Sequence, residues 1–135
     1  MRYIKVAAIL TVCLTAWVIQ CAAAEESDYV EISLSDLKQA IADKKVTLID
    51  CNGTLTFENG HIPGAIDWEA NQGKLNELLP KDKGAMIVSY CGGGNCPKYK
   101  RGTSAAVKLG YTNVKFYGGG MHGWKSAGEK VASNK

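Results

Sequence analysis

The stretch "CGGGNC", residues 91 to 96, sets two thiols five positions apart across three glycines and an asparagine. A cysteine acts as a nucleophile only as its thiolate. Glycine takes positive φ without steric cost and leaves its N–H groups bare. Successive N–H groups that converge make an anion-binding nest. Here the nest would run over Gly92, Gly93, Gly94 and Asn95. Pro97 then opens a helix-like segment, and a helix N-terminus adds partial positive charge. Both features favour the thiolate of Cys91. The same cradle would hold a negative persulfide sulfur or an oxyanion. The competing interpretation is a tight strand-to-helix turn in which Cys91 merely packs.

Elements on either side must place that thiol. "AMIVSY" (85–90) is the most continuous apolar run and predicts a strand buried on both faces. Residues 97–109 predict a helix with Pro97 at its first position. "YVEISL" (29–34) alternates and predicts a strand. "SDLKQAIADKK" (35–45) predicts a helix capped by Ser35, with Leu37, Ala40 and Ile41 on one face. "VTLID" (46–50) and "NVKFY" (113–117) predict strands, and "AID" (65–67) a brief one. Residues 52–65 predict a loop holding a single helical turn, "GKLNELL" (73–79) a short helix, and the segment after Gly118 a last short helix. Strands alternating with helices imply an α/β domain, with a central, mainly parallel five-stranded sheet and helices on both faces. Ligands of such sheets sit beyond the carboxyl ends of the strands. Cys91 and Cys51 both fall there.

The 135 residues suggest one domain after an N-terminal leader. Arg2 and Lys5, an apolar run from Val6 to Ile19, and then Ala22-Ala23-Ala24 have the layout of a secretory signal peptide. The run is shorter than the roughly 20 residues of a spanning helix. Cleavage after Ala24 would leave residues 25–135 as an exported, periplasmic domain. A lipoprotein alternative would acylate Cys21 and tie the chain to a membrane, though Gln20 fits that signal poorly. Loss of the leader removes two of 16 basic residues, leaving 14 against 13 acidic ones. That balance argues against nucleic acid, and the short block "PKYKR" is expected to be a solvated helix face. Cys51, Cys91 and Cys96 would remain, an odd number in a compartment that permits disulfides.

Three motifs in order resemble the single-domain rhodaneses. "LIDCNGTLTFENGHIPGAI" (48–66) resembles the family's first signature, an aspartate at a strand end followed by a "GHIPGA" turn. "YCGGGNC" falls at its active loop. "LGYTNVKFYGGGMHGWKSAG" (109–128) resembles its closing signature, a glycine pair before a tryptophan. The resemblance implies a rhodanese-like domain over residues 25–135. Cys91 would be the nucleophile that takes up sulfane sulfur. Gly92, Gly93, Gly94, Asn95 and Cys96 would form the loop around the persulfide. Asp50 would be a structural hydrogen-bonding aspartate, and Gly119 and Gly120 the pair at the pocket rim.

Three departures from the family pattern bear on substrate. Cys96 stands where the family often closes its loop with arginine, Asn52 where it often has another arginine, and Cys51 where it has an aliphatic residue. The loss of two positive groups weakens the case for an anionic donor such as thiosulfate. Lys98, Lys100 or Arg101 would compensate only if the helix turned them inward. Cys96 admits two readings, a resolving thiol toward Cys91 or a small buried residue. Cys51 likewise is either core or a thiol near the loop. His122, beside the glycine pair, is a further pocket candidate, whereas His61 is expected to be structural. Phosphatase-type cysteine loops need a closing arginine, and position 97 is proline. No metal and no organic cofactor are expected.

The leading expectation is a sulfurtransferase that moves sulfane sulfur from a small-molecule donor, through a Cys91 persulfide, to a thiol acceptor or a partner protein's thiol. That is covalent catalysis split into two steps. One alternative is a thiol redox or sulfur-carrier protein that uses Cys91 and Cys96. The other is a non-catalytic binding module.

Overall fold

The structure, a computed structural model, describes residues 29–135. The expected leader, residues 1–24, and Cys21 lie outside the described residues. In chain order the elements are β1 (Val30–Glu31), α1 (Leu34–Ala42), β2 (Val46–Asp50), α2 (Thr54–Asn59), β3 (Ile66–Asp67), α3 (Trp68–Asn71), α4 (Leu75–Leu78), β4 (Met86–Tyr90), α5 (Tyr99–Lys108), β5 (Val114–Tyr117) and α6 (Gly120–Ser126). The strands form one five-stranded sheet in the order β1-β5-β4-β2-β3. Every pairing is parallel. The expected α/β architecture is therefore present, and its sheet is wholly rather than mainly parallel.

The apolar runs explain which strands are central. Ile87, Val88, Ser89 and Tyr90 of β4 are all buried, as a strand covered on both faces requires. Successive side chains alternate between the faces. Val88 and Tyr90 join Leu48 of β2 under Leu37 of α1 and Met121 and Trp124 of α6. Ile87 and Cys91 join Ile49, Cys51, Leu75 and Ala106 on the opposite face, under α4 and α5. The indole N–H of Trp124 donates to the Lys130 carbonyl at 2.7 Å. Near the chain's end, His61 and Ala132 form an antiparallel bridge.

Several boundaries differ from expectation. The strand expected over 29–34 stops at Glu31, and α1 starts at Leu34. Ser33, not Ser35, caps that helix, its hydroxyl accepting from the Asp36 N–H at 3.1 Å. A side-chain cap inside the alternating run ends the strand, because it satisfies an N–H that the first helical turn leaves unpaired. The four-residue α3 was not expected; Asp67 caps it by accepting from the Glu69 N–H. Pro97 precedes α5 instead of opening it. It lies in a turn where Lys100 N–H donates to the Pro97 carbonyl. Among the described residues, no helix is long and apolar enough to cross a membrane.

Candidate active site

β4 ends at Tyr90, so Cys91 leaves the carboxyl end of the sheet's middle strand. The loop then turns sharply, with φ of 107° at Gly93 and 61° at Gly94. Side chains rarely adopt such angles. Crowding enforces glycine too, since a Cβ on Gly93 would overlap the Gly119 carbonyl oxygen. Cys91 and Gly92 are fastened to the start of α6. Met121 N–H donates to the Cys91 carbonyl and His122 N–H to the Gly92 carbonyl, each at 2.9 Å. Among the described residues, the N–H groups of Gly92, Gly93, Gly94 and Asn95 donate to no backbone carbonyl. The loop thus gives the carbonyls of Cys91 and Gly92 to the scaffold and leaves the N–H groups of Gly92 to Asn95 without backbone acceptors, a polarity that suits an anionic sulfur.

Cys91 and Cys96 are joined by a disulfide, with their Cα atoms 6.5 Å apart. Cys91 is 2% exposed, whereas Cys96 is partly exposed. Cys91 Sγ also lies 3.1 Å from the Cys96 carbonyl oxygen, which gives the thiol an acceptor once the bond is reduced. Both residues line a cleft of about 310 Å³ with Gly94, Asn95, Tyr99, Lys100, Phe116 and Tyr117. Tyr99 and Phe116 stack with ring centroids 4.3 Å apart. The mouth beside the sulfurs is thus largely aromatic, with Lys100 as its cation. Lys98 and Arg101 are exposed and are not part of its lining.

The accessory candidates separate. Asp50 is fully buried at the end of β2. Its Oδ1 accepts from both the backbone N–H (2.8 Å) and the side-chain Nδ2 (2.9 Å) of Asn52. Asn52 in turn stands against the cysteine loop, its Oδ1 facing Gly92. Burial raises the Asp50 pKa above the usual carboxylate value. The neighbouring Tyr90 hydroxyl offsets part of that effect without meeting the geometry of a full hydrogen bond to Oδ2, which has no partner among the described residues. Tyr90 itself accepts from the Ile62 N–H at 3.0 Å, and burial raises its own pKa.

Cys51 is on the same sheet face as Cys91 but points beneath α5. Its Sγ lies 3.3 Å from Ser89 Oγ, and burial pushes its thiol pKa up. His122 touches the loop through its backbone, and its side chain is exposed. His61 is buried, its Nδ1 2.7 Å from the Phe57 carbonyl and its ring stacked on Phe57. Among the described residues, no group of three or more His, Cys, Asp or Glu side chains is arranged to hold a metal ion.

The aromatic wall is not legible in the sequence. Tyr99, Phe116 and Tyr117 come from the first turn of α5 and the end of β5. Only the side-by-side pairing of β4 and β5 brings them to the cysteines. Their position at a strand end and a helix start next to the loop was the one available signal.

The family model for the rhodanese-like domain matches residues 33–127, and the chain belongs to that family. No curated protein matches the sequence. Among solved structures, a Bacillus halodurans protein is 22% identical with a TM-score of 0.63, and the match covers 78% of each chain. A human single-domain sulfurtransferase is 24% identical with a TM-score of 0.54, over 71% of this chain and 95% of that one. A thiosulfate sulfurtransferase from Pseudomonas aeruginosa is 16% identical with a TM-score of 0.63, over 79% of this chain and 21% of that one. At such identities the likeness is one of fold.

Proposed function

We propose that the protein is a sulfurtransferase that carries sulfane sulfur on Cys91. The observation that carries this reading is the position of Cys91. It ends the central strand of a rhodanese-like domain, in a loop with unspent N–H donors, and it opens on a cleft. The reduced thiolate attacks the sulfane sulfur of a donor, the donor's leaving group departs, and the persulfide rests against the loop amides until a thiol acceptor takes the outer sulfur. In this reading the amides act electrostatically, as donors held in place beside the charge on sulfur. The aromatic wall, and cysteine and asparagine where relatives often carry arginine, favour an organic donor of low charge over thiosulfate. The leader motif supports an exported, periplasmic setting, with a lipid anchor through Cys21 as the alternative.

Intact mass after exposure of the reduced protein to a sulfane donor tests the reading. Gain of one sulfur atom, lost again with reductant, is expected in a Cys96→Ser protein, in which the persulfide on Cys91 has no second loop thiol to react with. Cys91→Ser should abolish that gain and leave the thermal unfolding profile of the reduced protein close to wild type. Retained sulfur transfer in that variant would reassign the nucleophile to Cys51 or Cys96. A second reading, dithiol–disulfide cycling without sulfur transfer, is favoured by one observation, the bond between Cys91 and Cys96. It would show as loss of two hydrogens and no gain of sulfur in any variant.

A further inference from the structure

We propose that Cys96 is an internal resolving thiol for the sulfur step: it displaces the sulfane sulfur from Cys91 as sulfide, closes the Cys91–Cys96 disulfide, and leaves the protein dependent on a dithiol reductant for its next cycle. This inference rests on the Cys91 persulfide reading. Four observations carry it. The two sulfurs are bonded, so the Cys96 side chain reaches the Cys91 sulfur itself. Cys91 is buried and Cys96 stands partly exposed beside it, so Cys96 is the thiol already set against the Cys91 sulfur. Cys91 and Gly92 are pinned to α6, whereas Gly94 and Asn95 are exposed and precede Cys96, so the approach of the two thiols needs adjustment only on the Cys96 side. Both residues line one cleft, which gives the outer sulfur a place to sit and a way out. The third thiol, Cys51, is buried against Ser89 under α5 and does not compete.

The step balances without an external oxidant. The Cys96 thiolate attacks the inner sulfur of Cys91–S–SH. The bond between Cys91 Sγ and the outer sulfur breaks, and that sulfur leaves with the electron pair as hydrosulfide. The proton released from Cys96 goes with it, so the products are one disulfide and one hydrogen sulfide. The two electrons that reduce the sulfane sulfur come from the two cysteine sulfurs. Intramolecular placement favours this attack over one by a dilute thiol. A dithiol reductant, itself oxidised to a disulfide, then restores both thiols by exchange. The protein thus stands between a reaction that makes a sulfane-sulfur compound and one that consumes sulfide, with a dithiol–disulfide oxidoreductase alongside.

The test exposes the fully reduced protein, freed of other thiols, to glutathione persulfide, and follows sulfide and intact mass against a Cys91→Ser background. Wild type should release one sulfide per chain and lose two hydrogens, and further release should require dithiothreitol. Cys96→Ser should stop one step earlier: it gains one sulfur atom, and its sulfide release above background is lost until dithiothreitol is added. If wild type keeps the added sulfur and releases no sulfide, Cys96 is not the resolving thiol, although the persulfide reading stands. If neither protein gains or releases sulfur, the persulfide reading itself fails. A glutathionyl adduct on Cys96→Ser would overturn the order of steps, because the disulfide would then form by mixed-disulfide exchange.

Discussion

The backbone N–H of Met121 donates to the carbonyl of Cys91 at 2.9 Å, across thirty positions of sequence. With the neighbouring bond from His122 to Gly92, it seats the cysteine loop on the first turn of α6. Gly120, at the start of that helix, has φ of +54°, and a Cβ there would overlap Gly93 N, the Cys91 carbonyl oxygen and Gly92 C. All three obstacles are backbone of the active loop, which cannot rotate aside as a flexible side chain would.

Gly120→Ala should therefore damage chemistry more than folding. Overpacking of this kind costs about 1–3 kcal/mol of stability. A displacement of about 1 Å at a reacting group lowers rates by about a hundredfold. Urea unfolding and the rate of persulfide formation, measured on the same variant, should show both. Wild-type sulfur uptake in a folded Gly120→Ala protein would mean that the docking of loop on helix is not what positions Cys91.

Asp50 should leave a signature in the pH dependence of stability. Burial raises its folded pKa above the 3.8 expected in the unfolded chain. Between those two values the native state holds a proton that the unfolded state has lost. Stability from this group is therefore greatest at acid pH, falls as pH rises through the window, and is level above it. Asp50→Asn keeps an acceptor for the two Asn52 donors and cannot ionise. The urea midpoint of the variant relative to wild type should rise with pH from about 4 upward. A difference that shrinks with rising pH would reverse the sign of the argument.

Cys96→Arg probes donor charge. Arginine at the loop's end supplies the fixed positive fork that cysteine lacks. It should raise kcat/KM for thiosulfate by about tenfold, equivalent to about 1.4 kcal/mol, while abolishing the internal disulfide. Steady-state assays with thiosulfate and with a neutral organic persulfide, run side by side, separate a charge effect from general loosening of the loop. Equal changes for both donors would remove charge as the explanation.

Much of this was legible where the signal was local. The runs that became β2 and β4 are apolar and short, and they fall within a residue of their expected bounds. Cys91 and its glycines could be singled out because loop chemistry depends on adjacent residues. What depended on distant partners was not readable. Tyr99 and Phe116 meet only because α5 crosses back so that β5 pairs with β4. The burial of Cys51 follows from α5 lying over it at Gly102, whose notional Cβ would stand 3.1 Å from Cys51 Sγ. The start of α1 was misplaced because alternation and a serine cap compete over the same residues, and the capping bond prevails.

The disulfide between Cys91 and Cys96 spans a sequence separation of only five. A crosslink restrains an unfolded chain through the loop it closes, and so small a ring removes only about 2 kcal/mol of chain entropy in the loop-closure account, against about 4.7 for a ring of about 100 residues. The sheet and its two apolar layers do not depend on the bond. Opening and closing it is a local event that spends little of the domain's stability, so the molecule can present the same scaffold to oxidant and reductant alike.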